Sequence, residues 1–170
     1  RQGADTLTPV MGTPLHFEAP TALEYFAMLV AEDRGLSVLE AAVAVALEDM
    51  PGLDPQAVLA EIDGLADRLR RRLPADAGAV QKLRQLNRYF FQELGFGGNI
   101  NNYYDRRNSY VPEVLRTRRG IPITLALIYV EVARHVGLDA RGVSFPGHFL
   151  VKLRLPRGEV VIDPMDGRSL

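Results

Sequence analysis

The sequence predicts an α+β domain, with an N-terminal helical region packed on a core of one central helix plus an antiparallel sheet. Two observations carry this expectation. Apolar residues recur at helical spacing through residues 20–94 and again through residues 120–136. After residue 140 the pattern changes to short alternating runs separated by Pro and Gly, as strands require. The 170 residues, 47% hydrophobic and 24% charged, describe one globular unit. A chain of that length buries roughly two-thirds of its unfolded surface without staples.

Residues 1–19 hold Gly, Pro and Thr without periodicity and read as an irregular arm. Thr21 caps a first expected helix carrying Leu23, Phe26, Ala27 and Val30, and Gly35 ends it. Ser37 with Glu40 has capping-box spacing for a second helix, whose stripe is Leu39, Ala42, Val43, Ala46 and Leu47. Asp54-Pro55 opens a third helix, with Val58, Ile62, Leu65, Ala66, Leu69 and Leu73 facing inward. Arg68, Arg70, Arg71 and Arg72 complement the dipole at its C-terminal end. A fourth helix is expected from about Asp76, burying Val80, Leu83, Leu86, Phe90 and Leu94. The Gly-, Asn- and Tyr-rich stretch 95–110 is a long loop, a feature often tied to function. A short helix over Val111–Arg119 follows, with Asn108-Ser109 as its expected cap. Gly120-Ile121-Pro122 opens the central helix, with Leu125, Ile128, Tyr129, Val132 and Val136 on one face and Gly137 closing it. Strands are expected over Arg141–Phe145, Phe149–Leu155 and Glu159–Ile162.

Composition excludes several chemistries. The chain has no cysteine, which removes disulfides, thiolate metal sites and every thiol nucleophile. With no signal-peptide pattern in residues 1–19, this points to a cytoplasmic protein. No apolar run approaches the ~18 residues of a membrane helix. Gly97-Gly98 is not followed by a phosphate-loop Lys-Ser/Thr, so no nucleotide cofactor is expected. Residues 1–67 carry 12 Asp and Glu against 2 Lys and Arg, whereas residues 68–170 carry 18 Lys and Arg against 9 Asp and Glu. Complementary halves of one fold account for that asymmetry, and an overall charge of −1 gives no global pull towards nucleic acid. The chain begins at Arg1 and stops soon after a strand, so a longer natural protein with more sheet beyond Leu170 is expected.

Three places suit chemistry: the start of the helix at Gly120, His148 after a Pro-Gly turn, and Asp163 at a strand end. The spacing of 148 and 163 fits neighbouring strands, where a carboxylate orients an imidazole. The pair either holds two strands together or faces a ligand cleft. Asn108, Ser109, Tyr104 and Asp105 are candidate binding residues in the polar loop. Arg106, Arg107, Arg116, Arg118 and Arg119 form the densest basic group, read as solvated surface ahead of an anion-binding patch. Glu131 and His135 stand four residues apart on the central helix and make an ion pair; a metal reading lacks a third ligand.

The segments NYYDRRNSYVPEVLRTRRGIPITLALIYVEVARHVGL, PGHFLVKL and VVIDPMDG, within about residues 88–167, resemble the transglutaminase-like (cysteine-protease-like) superfamily, and more closely the SirB-type bacterial proteins that carry such a core. The resemblance implies an N-terminal helical region over 20–94 and a transglutaminase-like core over 95–170. It also implies a catalytic triad of Cys, His and Asp, with His148 and Asp163 matching two members. The cysteine position falls on or near Pro122, which has no nucleophile; Thr124 is the nearest hydroxyl. The resemblance therefore implies a regulatory, protein- or peptide-binding module without the thiol, a pseudoenzyme with no cofactor. SirB-type homologues often add a tetratricopeptide-like C-terminal region, absent from this sequence. The alternatives are a hydrolase or acyl transferase using His148 and Asp163 with Thr124 or water, and a nucleic-acid-associated regulator.

Overall fold

A computed structural model describes residues 38–47, 49–102, 104–145 and 148–170. The expected N-terminal arm and first helix, and the Ser37 cap, lie outside these residues. In chain order the described elements are α1 (Val38–Ala46), α2 (Pro55–Arg72), α3 (Ala79–Asn87) with a π-helical turn over Arg88–Glu93, β1 (Gly97–Gly98) and a 3₁₀ turn over Arg106–Ser109. They continue with α4 (Val111–Thr117), β2 (Arg119–Gly120), α5 (Pro122–His135), β3 (Asp139–Phe145), β4 (His148–Leu155) and β5 (Gly158–Ile162). The fold is α+β, as the periodicities predict. No helix among the described residues is long and apolar enough to cross a membrane.

Helix α5 is the centre. Ile123, Leu125, Ala126, Ile128, Tyr129, Val132 and Ala133 are all buried, so apolar residues occupy far more than the one stripe of a surface helix. It packs against α2 and against β3 and β4. Helix α2 starts as its sequence dictates: Asp54 accepts the Gln56 N–H at 3.0 Å, and Pro55 occupies the first turn, where no backbone donor is needed. It buries Val58, Ile62, Leu65, Ala66 and Leu69.

Two expectations about α3 are corrected. The helix begins at Ala79 rather than near Asp76, and Val80 is 48% exposed rather than buried. Leu83 and Leu86 set the buried face, and Val80 stands about 120° round the helix from Leu86 at 3.6 residues per turn. The π-helical turn then adds a residue to the repeat, with the Leu94 N–H donating to the Tyr89 carbonyl at 2.8 Å. The wider turn sends both Tyr89 and Phe90 inward. Tyr89 Oη donates to the Leu65 carbonyl at 2.8 Å, and Phe90 stacks on Phe96 with ring centres 4.4 Å apart. Tyr129 Oη donates to Asn87 Oδ1 at 2.6 Å, and burial pushes its phenol upward, so it stays a neutral donor.

The three-stranded sheet is an antiparallel meander in the order β3-β4-β5, with Gly142 opposite Val151 and Val151 opposite Ile162. Alternation sends Ala140, Phe149, Val151, Leu153 and Ile162 to the buried face. The Phe149 ring lies over Gly142, where an added Cβ would stand 2.6 Å from Phe149 Cζ. Strand β3 starts two residues earlier than expected, and an additional bridge joins Ile162 to Ser169.

The polar loop contains the unforeseen pair β1–β2, two residues each and parallel. Its 3₁₀ turn is capped by Asp105, whose Oδ1 accepts the Arg107 N–H at 3.0 Å while Oδ2 accepts Arg107 Nη2 at 2.6 Å. Helix α4 has Tyr110 as its N-cap, without a side-chain cap bond, so the expected Asn108-Ser109 cap is corrected.

Two measurements check these assignments. Gly142→Val should lower unfolding stability in urea by about 1–3 kcal/mol through overpacking against Phe149, whereas Val80→Ala should stay within about 0.5 kcal/mol. The Arg107 hydrogen bonds hold the Asp105 carboxyl down at about 2, against 3.8 for the free group. Its folded value lies below its unfolded value, so the cap contributes above about pH 4 and is lost as pH falls towards 2. An NMR titration should place the Asp105 midpoint near 2 and move it towards the free-carboxylate range in Arg107→Ala; equal midpoints would contradict the cap.

Candidate functional site

The site is built around the N-terminus of α5. Pro122 occupies the first turn, where its fixed φ is pre-organised and its missing N–H costs nothing. Ile121 is the N-cap and has no side-chain acceptor to offer the orphan amides. Thr124 supplies half of a capping arrangement from the other side: its Oγ1 accepts the Ile121 N–H at 3.3 Å. The same hydroxyl donates to the Asn108 carbonyl at 2.7 Å. Thr124 is fully buried. Gly120 permits this approach, because a Cβ there would lie 2.9 Å from Thr124 Oγ1 and 3.0 Å from the methyls of Val114.

Asn108 extends the tie into the polar loop. Its Nδ2 donates to the Asn102 carbonyl at 2.7 Å and its Oδ1 accepts Asn99 Nδ2 at 2.9 Å. Asn99 in turn donates its backbone N–H to the Gly120 carbonyl at 3.0 Å. Asn99 was not singled out by the sequence, although a side-chain amide in a run of Gly and Asn is a common way to satisfy loop backbone. Ser109 is buried, and its Oγ has no hydrogen-bond partner among the described residues. Tyr104 is 91% exposed on the same loop, and Asp105 is engaged with Arg107 as described.

His148 is the first residue of β4 and is exposed; Asp163 follows β5 directly and is half-buried. Extending the β4–β5 register by one residue sets Asp163 across from Leu150, so His148 stands diagonal to it on the same face. Such diagonal backbone positions are typically about 7–8 Å apart. No hydrogen bond joins the two side chains among the described residues, which corrects the expected contact. Asp163 Oδ1 instead accepts the Met165 N–H at 2.9 Å, and the Asp163 carbonyl accepts the Gly167 N–H at 2.8 Å. The carboxylate is held by the turn that follows β5, and that turn reaches the loop again through Gly98 N–H to the Met165 carbonyl at 3.0 Å.

The basic group lies mostly on the exposed surface and is engaged with partners of the same chain. Arg106 pairs with Asp49 at 2.9 Å, Arg107 with Asp105 at 2.6 Å and Arg116 with Glu113 at 2.8 Å. The Arg118 guanidinium lies 4.7 Å from the Phe96 ring centre, and Arg119 Nη1 donates to the Gly95 carbonyl at 3.2 Å. Tyr110 Oη also bonds Asp49, and burial raises its phenol. The Asp49 contacts join the acidic and basic parts of the chain. At the far end of α5, about 20 Å from Pro122 by helical rise, His135 Nε2 meets Glu131 Oε1 at 3.2 Å, as the spacing predicts. It also meets Asp63 Oδ1 of α2 at 2.9 Å.

The profile of the transglutaminase-like superfamily matches residues 56–170. A UPF0162 protein of Xylella fastidiosa is 39% identical over 140 residues, which are 82% of this chain and 50% of that protein. A UPF0162 protein of Pseudomonas aeruginosa is 35% identical over 134 residues, covering 79% of this chain and 48% of its own length. The human F-box only protein 21 is 40% identical over 72 residues, 42% of this chain and 12% of that protein. The chain thus spans about half the length of the bacterial relatives it matches. No solved structure matches it. The superfamily match covers more than half of the sequence and includes the central helix and the meander, and the chain belongs to the transglutaminase-like superfamily.

Proposed function

We propose that this chain is a non-catalytic transglutaminase-like module of the cytoplasm that binds a protein or peptide and acts as a regulator, as the resemblance to SirB-type proteins implies. The observation that carries the reading is the state of the helix start. The sequence has no cysteine, Pro122 occupies the first turn of α5, and the nearest hydroxyl, Thr124, is buried with its proton directed at a backbone carbonyl. A nucleophile needs an accessible atom and a base within hydrogen-bond reach; Thr124 Oγ1 has neither. His148 lacks the hydrogen bond to Asp163 that would set its tautomer and stabilise its cation.

A binding role is supported by the loop that the Thr124–Asn108 tie holds in place. It presents Ile100 at 86% and Tyr104 at 91% exposure, two large side chains on a backbone fixed by side-chain amides. Large side chains, tyrosine among the foremost, carry most of the binding energy at protein interfaces. The match within F-box only protein 21, a protein of which it covers 12%, supports a segment that is used within larger, differently built chains.

Three outcomes test the reading. Wild-type protein should show no transamidation and no peptide hydrolysis above background, and activity abolished by His148→Ala would overturn the non-catalytic assignment. Thr124→Val should lower stability by about 1–3 kcal/mol, since it strands the Asn108 carbonyl and the Ile121 N–H, while Thr124→Ser should recover most of that loss. A photo-crosslinking residue at position 104 should capture a defined polypeptide from cells that the same residue at the exposed Arg157 does not. Equal products at both positions would remove the binding surface from the account.

A further inference from the structure

We propose that Asp63, Glu131 and His135 form a binding site for one divalent transition-metal ion of the zinc type. The ligand atoms of these three side chains all lie within 4.8 Å of one another. His135 Nε2 stands 2.9 Å from Asp63 Oδ1 and 3.2 Å from Glu131 Oε1. An imidazole nitrogen carries at most one proton, and here it faces two carboxylates. A proton on Nε2 satisfies one of them well and the other poorly. A metal ion between the three atoms accepts the nitrogen lone pair and one oxygen from each carboxylate together.

Two of the three separations already lie near those around such an ion. Zinc bonds of about 2.0–2.2 Å to nitrogen and oxygen place tetrahedral ligand atoms roughly 3.4 Å apart. The scaffold is already fixed. Glu131 and His135 are one turn apart on α5, and Asp63 comes from α2, which packs against α5. The side chains of Asp63, Glu131 and His135 are 52%, 30% and 32% exposed, so an ion has a path in and water can complete its coordination. One imidazole with two single carboxylate oxygens suits zinc and its transition-row neighbours; calcium and magnesium prefer more oxygens and none of the nitrogen. Bound there, the ion would bridge α2 to α5 at the end remote from Pro122. The site is independent of the reading of the α5 N-terminus.

Zinc chloride titrated into the whole chain by calorimetry at pH 7.5 tests the site. One ion per chain should bind saturably, with at least about tenfold weaker affinity in Asp63→Asn and in His135→Ala. The thermal midpoint of wild type should rise with added zinc, and that rise should vanish in both variants. Asp63→Asn lies on an exposed position of α2, so it keeps the test valid even where His135→Ala folds poorly. His148→Ala should bind zinc as wild type does, and millimolar magnesium should not compete. Absence of saturable zinc binding, or equal affinity in wild type and Asp63→Asn, would overturn the site. So would loss of binding in His148→Ala.

Discussion

A buried backbone N–H at the start of a helix needs a partner that water cannot supply, and in this protein the Thr124 hydroxyl supplies it for Ile121, the N-cap of α5. It accepts the Ile121 N–H and donates to the Asn108 carbonyl, so one oxygen serves the helix and the loop at once. Ile121 is apolar and Pro122 has no donor, which leaves Thr124 as the side chain within the turn able to do this. From Asn108 the network continues to Asn102 and Asn99, and Asn99 returns to the Gly120 carbonyl just before the helix. The loop is ordered by the helix start, and the helix start is satisfied by the loop. Gly120 is the backbone position that allows the close approach, with Val114 on its other side.

That arrangement decides what the site can do. The N-terminal end of α5 favours negative charge, which in a thiol enzyme would stabilise a thiolate. Here the end of the helix carries a proline, and the hydroxyl behind it is committed to structure. Asp163 is likewise turned to a backbone task, closing the bend that returns the chain from β5 to the Met165–Gly98 contact. The hydroxyl nearest the helix start and one oxygen of the Asp163 carboxylate are therefore both engaged with the backbone. The fold of the superfamily is kept, and in the proposed non-catalytic reading Thr124 and Asp163 serve as joints of the backbone.

Much of this was legible in the sequence, for definite reasons. Helices α2 and α5 show their burial through sustained apolar spacing, and Asp54-Pro55 and Gly120-Ile121-Pro122 mark their starts. The meander showed through alternation and its two Pro-Gly-containing turns. Val80 was misread because a regular repeat was carried through a helix that ends in a π turn, which shifts the inward face to Tyr89 and Phe90. Strands β1 and β2 gave no signal, since two-residue strands rich in glycine have no side-chain pattern. His148 begins β4 and Asp163 directly follows β5, and contact between them depends on side-chain direction at strand ends, where the following turn captured the carboxylate. Asp63 was invisible as a partner of His135, because 72 residues separate them and only the packing of α2 on α5 brings them together.

We propose the start of α5 as a structural junction rather than a reaction centre. The most direct measurement is intact-mass spectrometry of the wild-type chain after brief exposure to an activated acyl ester, followed by peptide mapping. No acyl adduct is expected on the peptide containing Thr124, because its hydroxyl is buried and donates to the Asn108 carbonyl. A stoichiometric adduct on Thr124 that fails to form in His148→Ala would contradict it.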